Sequence, residues 1–167
     1  VAYDPYPDKK FAKDVGLEYL SLNKILSESD IISLHCPYTE KTHHLINMWN
    51  IRQFKKGAYL INTSRGSIVE TEALVKALEE GILAGVGLDV LEEEGETKDE
   101  LHILSLGHPK EEELKTMLRN HILMKMPNVL VTPHNAFNSQ EALEHILRTT
   151  LENIKSFLSG KPINVVP

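Results

Sequence analysis

Hydrophobic positions along the chain switch between two spacings, and each switch marks an element. Ala58 to Asn62 is a short apolar, β-prone run, followed by the polar turn Thr63-Ser64-Arg65-Gly66. From Glu70 to Glu80 the spacing becomes helical, with Ala73, Leu74, Ala77 and Leu78 on one face, and Gly81 stops it. Ala84 to Leu88 is again a buried-type run, ending in Asp89, with Glu94 five positions on. This is the pattern of a strand–helix–strand unit. In open α/β sheets ligands sit just outside the carboxyl ends of the strands, where Arg65, Asp89 and Glu94 fall.

Elsewhere the same reading gives further elements. Val1 to Pro5 reads as the end of a strand with Asp4 at its tip, so the chain is expected to be a piece of a longer one. Lys9 to Val15 forms a short helical turn, then come Leu17 to Leu20 and a helix over Leu22 to Ser29 that Ser21 caps. Ile31 to Leu34 is a strand that runs into His35-Cys36-Pro37, where proline halts the ladder. Asn50 to Phe54 suggests a short helix. The chain then turns acidic and polar after Glu94, an insert carrying one helix from Glu111 to about Lys125. Asn128 to Val131 is a last strand before Thr132-Pro133-His134. A long helix from Ser139 then carries Leu143, Ile146, Leu147, Leu151, Ile154 and Leu158 on one stripe, read as core packing, and ends at Gly160.

About five strands alternating with helices predict an α/β fold with a doubly wound parallel sheet of the Rossmann, dinucleotide-binding type. The glycine-rich phosphate loop G-x-G-x-x-G is not in the sequence, and the first strand and that loop are expected upstream of Val1. Gly85-Val86-Gly87 is no substitute, since it lies within a strand and reads as close backbone packing.

Composition narrows the partners. The 167 residues carry a net charge of −6, which argues against nucleic acid, whose phosphates need a basic surface. A single cysteine, Cys36, allows no internal disulfide and fits a reducing, cytoplasmic setting. No apolar run is long enough for a membrane span. His43 and His44 are adjacent and no carboxylate stands at ligand spacing, so no metal is expected. His102, His108 and His121 read as surface residues of the insert, and a run such as Glu92-Glu93-Glu94 is ordinarily solvated.

Taken together, Tyr3-Asp4-Pro5, LHCP at 34–37, THHLIN at 42–47, NTSRG at 62–66, GLDVLEEE at 87–94 and NVLVTPH at 128–134 resemble the D-isomer specific 2-hydroxyacid dehydrogenases, in that family's order. The resemblance covers the NAD-binding domain from its second strand onward. It implies a partial domain over residues 1–160 with an insert at about 95–127, and residues 161–167 beginning the return to a separate substrate domain. By position the family's catalytic arginine falls on Arg65, its glutamate on Glu94, its histidine on His134, and its carboxamide-binding aspartate on Asp89. The cofactor-contacting positions fall on Asp4, His35, Cys36, Pro37, Thr42, Thr63, Ser64, Arg65, Asp89, His134, Ala136 and Phe137. His134-Asn135-Ala136-Phe137 looks like the D-lactate dehydrogenase branch, and a homodimer is implied by the family's habit.

The chemistry suits these residue types. Reducing a 2-keto acid requires gripping a carboxylate, polarising a carbonyl and delivering a proton. Arginine's planar, permanently charged fork suits the first two tasks, and histidine, titrating near neutrality, suits the third. A glutamate beside the histidine favours its protonated form. Asp4 would accept from ribose hydroxyls and repel a 2′-phosphate, favouring NAD, although Lys9 and Lys10 keep NADP open. A second reading is an NAD(H)-sensing interaction protein similar to the C-terminal-binding co-repressors, which tend to carry tryptophan where Phe137 stands.

Overall fold

The computed structural model describes residues 1–92 and 110–165. Its centre is a four-stranded, all-parallel sheet. The strands are β1 (Ile31–Leu34), β2 (Ala58–Asn62), β3 (Leu83–Leu88) and β4 (Val129–Val131), hydrogen-bonded in that order. Parallel neighbours need crossover connections, commonly helices. Between β2 and β3 the crossover is α3 (Thr71–Glu79), and β4 is preceded by α4 (Glu111–Lys125). Two short helices, α1 (Lys9–Val15) and α2 (Leu22–Glu28), precede β1. Ser21 caps α2 by accepting from the Lys24 amide, as its position predicts.

The core lies on one face of this sheet. Leu60, Leu83, Val86 and Leu88 from the strands meet Leu26 of α2, Ala73, Leu74 and Ala77 of α3, and Leu123 of α4. The opposite face is exposed at Ile31, Tyr59 and Leu130. Gly85 and Gly87 do serve close packing. A β-carbon at Gly85 would lie 2.8 Å from the Asn128 carbonyl oxygen, and one at Gly87 would lie 3.1 Å from Ile61 Cδ1.

Two expectations change. Val1 to Pro5 does not join the sheet: among the described residues its only ladder contact is Ala2 with Tyr19. A strand end needs a paired neighbour to become part of a sheet, and this segment finds only that one bridge. The second change concerns α5 (Gln140–Leu158), which has no buried residue. The molecule divides into two compact units, Val1–Pro133 and His134–Pro167. The second unit is built on α5, with no other helix or strand among its described residues to cover the Leu/Ile stripe. Among the described residues no helix is long and apolar enough to cross a membrane.

Candidate active site

The carboxyl ends of β1, β2 and β3 lead into His35 to Pro37, Thr63 to Arg65 and Asp89, and short polar contacts lock these ends together. At the end of β2, Asn62 is buried and folds the turn around its own amide. Its Nδ2 donates to the Arg65 carbonyl at 2.9 Å and its Oδ1 accepts from the Ser64 amide at 3.0 Å. This is the way an Asn side chain mimics a backbone turn. It presents Arg65 outward, exposed, with its guanidinium donating to the Ser64 carbonyl at 2.7 Å. Ser64 Oγ donates to the Cys36 carbonyl at 2.5 Å, tying this turn to the loop after β1.

That loop is held in turn by Thr42, whose hydroxyl donates to the Pro37 carbonyl at 2.7 Å and accepts from the Thr39 amide. His35 Nε2 pairs with Ser33 Oγ at 2.8 Å. Between the two loops opens a cavity of about 480 Å³ lined by His35, Cys36, Pro37, Tyr38, Ser64 and Arg65. Burial pushes the half-buried Cys36 thiol above the ordinary thiol range, with a smaller opposing effect from its backbone hydrogen bond. At the end of β3, Asp89 is buried and accepts from Thr132 Oγ1 at 2.5 Å, while its amide donates to the Asn62 carbonyl at 2.9 Å. Three strand ends thereby share one hydrogen-bonded edge.

The structure gathers His35, Cys36, Pro37, Ser64 and Arg65 around one cavity. Thr63 stands exposed at the tip of β2, beside them in the chain. Asp4 lies on the separate Ala2–Tyr19 bridge segment, where its carboxylate accepts from the Tyr6 amide at 2.7 Å. His134, Ala136 and Phe137 belong to the second unit. There His134 adopts a left-handed backbone (φ 53°), uncommon for a residue with a side chain. Glu94, His102 and His108 lie outside the described residues.

Sequence spacing missed one cluster entirely. Glu92 is no solvated residue of an acidic run. Its side chain is 11% exposed, and its carboxylate accepts from the Thr71 amide at 3.0 Å and the Thr71 hydroxyl at 2.7 Å. The same carboxylate meets His44 Nε2 at 2.5 Å, and because a carboxylate can only accept, that nitrogen carries the hydrogen. Forty-eight positions separate Glu92 from His44, so no local pattern could pair them.

A parallel sheet with a polar, cavity-bearing edge at its carboxyl ends defines the class: a Rossmann-type dinucleotide-binding domain. The match to known proteins is specific. Residues 1–136 match the model of the D-isomer specific 2-hydroxyacid dehydrogenase NAD binding domain, and the chain belongs to that family. It is 42% identical over 164 residues to a 2-hydroxyacid dehydrogenase homolog of Zymomonas mobilis, covering 96% of this chain and 46% of the relative. It is 39% identical over 165 residues to the glyoxylate reductase of Korarchaeum cryptofilum, covering 98% of this chain and 43% of that protein. Among solved structures it is similar to the D-lactate dehydrogenase of Aquifex aeolicus complexed with NAD and lactic acid. That match has a TM-score of 0.80 and 40% identity, covering 95% of this chain and 46% of the other. The chain thus spans about half the length of the relatives it matches.

The residues present fit NAD, the cofactor this family domain binds. The cavity is lined by residues of two loops at the strand ends, the polar His35, Tyr38 and Ser64 and the arginine among them. The Asp89 carboxylate has the acceptor sense that a carboxamide NH₂ requires.

Proposed function

We propose that this chain is the cofactor-binding half of an NAD-dependent D-2-hydroxyacid dehydrogenase that interconverts a small D-2-hydroxy acid, of the D-lactate type, and its 2-keto acid. The observation that carries this reading is Arg65. It is an exposed guanidinium on a turn fixed by a buried asparagine, on the rim of the cavity at the sheet's carboxyl edge. Arg65 binds the substrate carboxylate and polarises the adjoining carbonyl. His134 donates or removes the proton at the hydroxyl oxygen, with Glu94 as its partner in acid–base catalysis. Asp89 orients the nicotinamide by accepting from its amide, and the His35–Pro37 and Thr63–Ser64 loops, with Asp4, Thr42, Ala136 and Phe137, complete the cofactor contacts. Bound NAD supplies the hydride acceptor or donor. Two copies of the protein associate as a homodimer, in keeping with the family resemblance.

Steady-state assays of the full-length protein with NADH and pyruvate or glyoxylate test this reading. Turnover is expected, and Arg65→Gln is expected to lower kcat/KM by about 10²–10³-fold, the usual cost of one transition-state donor. NADH affinity should stay within about threefold, since the role assigned to Arg65 is toward the acid. Tight NADH binding without turnover on either acid would favour the co-repressor-like reading instead.

A further inference from the structure

Glu92 sits at the meeting point of three segments. Its carboxylate takes both donors of Thr71 at the start of α3, where Glu70 offers no side-chain cap. His44 reaches the same carboxylate from the THHLIN segment. The Glu92 carbonyl accepts at 2.8 Å from Asn120 of α4, which is fully buried.

The contacts close into a loop that includes the arginine turn. The backbone amide of His44 donates to the Ser67 carbonyl at 2.9 Å, and that of Ile46 to the Ile68 carbonyl at 3.1 Å, just past Arg65. His44 holds a left-handed backbone (φ 48°) while doing so, a conformation kept only where the surroundings enforce it. On the other side, Gly66 lies directly against the Leu91–Glu92 backbone. A β-carbon there would lie 2.0 Å from the Leu91 carbonyl oxygen and 2.4 Å from the Glu92 nitrogen. Glycine is required at this position by the approach of two backbones. A shift of Leu91–Glu92 therefore changes what Gly66, and with it Arg65, rests on.

We propose that Glu92 is a positioning residue that, through Thr71, His44 and the Gly66 contact, fixes the Arg65 turn. This rests on the role given above to Arg65. Arg65 is thereby set by a carboxylate that is not among the residues lining the cavity.

The test uses the full-length protein, with pyruvate or glyoxylate and NADH. Glu92→Ala is expected to lower kcat/KM for the keto acid by about 100-fold, the scale of an ångström-sized misplacement, with much of the loss in KM. NADH affinity should stay within about threefold, because the residues lining the cavity keep their own bonds. Glu92→Gln keeps an acceptor for Thr71 and should recover most of the loss, to within about tenfold of the parent. Combining Glu92→Ala with Arg65→Gln should cost little more than Arg65→Gln alone, since residues that act through one another are non-additive.

Unchanged keto-acid kinetics in Glu92→Ala, or an equal loss of NADH affinity, would overturn the proposal. Should that variant fail to fold, Thr71→Val decides, with about a three- to tenfold selective loss in kcat/KM expected from removing one hydroxyl bond. No selective loss there counts against it. Arg65→Gln and Glu94→Gln run alongside: if both retain turnover, the site assignment itself falls. If both lose it while Glu92→Ala does not, only the positioning role falls.

Discussion

Helices α3 and α5 share a design and differ in fate. Each presents an apolar stripe at helical spacing, yet six of the nine residues of α3 are buried and none of the nineteen of α5. The difference comes from what the chain places beside each. α3 is the crossover between two parallel strands of the same sheet, and such a crossover must lie back on the sheet it connects. α5 stands in its own unit, whose described residues include no second helix or strand. Periodicity thus establishes that a helix has a face to cover, while the connection decides what covers it.

The largest expected effect separates the two regions directly. Leu60 of β2 is fully buried, and Leu60→Ala should lower stability by about 2–5 kcal/mol, from lost transfer energy plus a residual cavity. Leu147 in α5 is 64% exposed, and Leu147→Ala should change stability by no more than about 0.5 kcal/mol. Urea unfolding of both variants in the full-length protein measures the pair. A Leu147 cost approaching that of Leu60 would mean that the rest of the protein covers the stripe, and the contrast between the helices would then belong to this half of the chain alone.

A smaller effect tests whether the turn at the end of β2 governs the site. Asn62→Ala removes two bonds inside the turn, and partners left unmet there cost about 1–3 kcal/mol. Asn62→Asp keeps the acceptor for the Ser64 amide but loses the bond to the Arg65 carbonyl, so its loss should be intermediate. If the turn positions Arg65, kcat/KM falls along the same series. Activity that holds while stability falls would make Asn62 a packing residue only.

What could be read from the sequence follows the range over which each cause acts. The strands after Ser29, the α3 crossover, the Ser21 cap and the Glu111–Lys125 helix are set by neighbours a few positions apart, and each stands where the pattern puts it. The apparent strand at Val1–Pro5 depended on partners the pattern could not supply, and it makes a single bridge. His35, Cys36, Pro37, Ser64 and Arg65, picked out where strand ends and family motifs coincide, line one cavity. The His44–Glu92–Thr71 cluster was not legible, since its members come from three segments, and an acidic triplet and a pair of histidines each have an unremarkable local explanation. Only Gly66 carried a hint, a glycine following arginine where a backbone needed room.

Cys36 lies between the two extremes of burial, and its thiol tests the edge at which they meet. Desolvation raises its pKa, so at neutral pH it holds less thiolate than an ordinary cysteine, and only the thiolate is the nucleophile. Alkylation by iodoacetamide should therefore be slower than for a free thiol at pH 7. It should accelerate with rising pH through a midpoint above the ordinary thiol value. The sign follows because burial penalises the charged form, so more base is needed to produce it. NADH should slow the reaction further, since Cys36 lines the cavity assigned to the cofactor. Rapid modification at neutral pH would show the Cys36 loop to be open, and would count against Ser64 holding it closed through the Cys36 carbonyl.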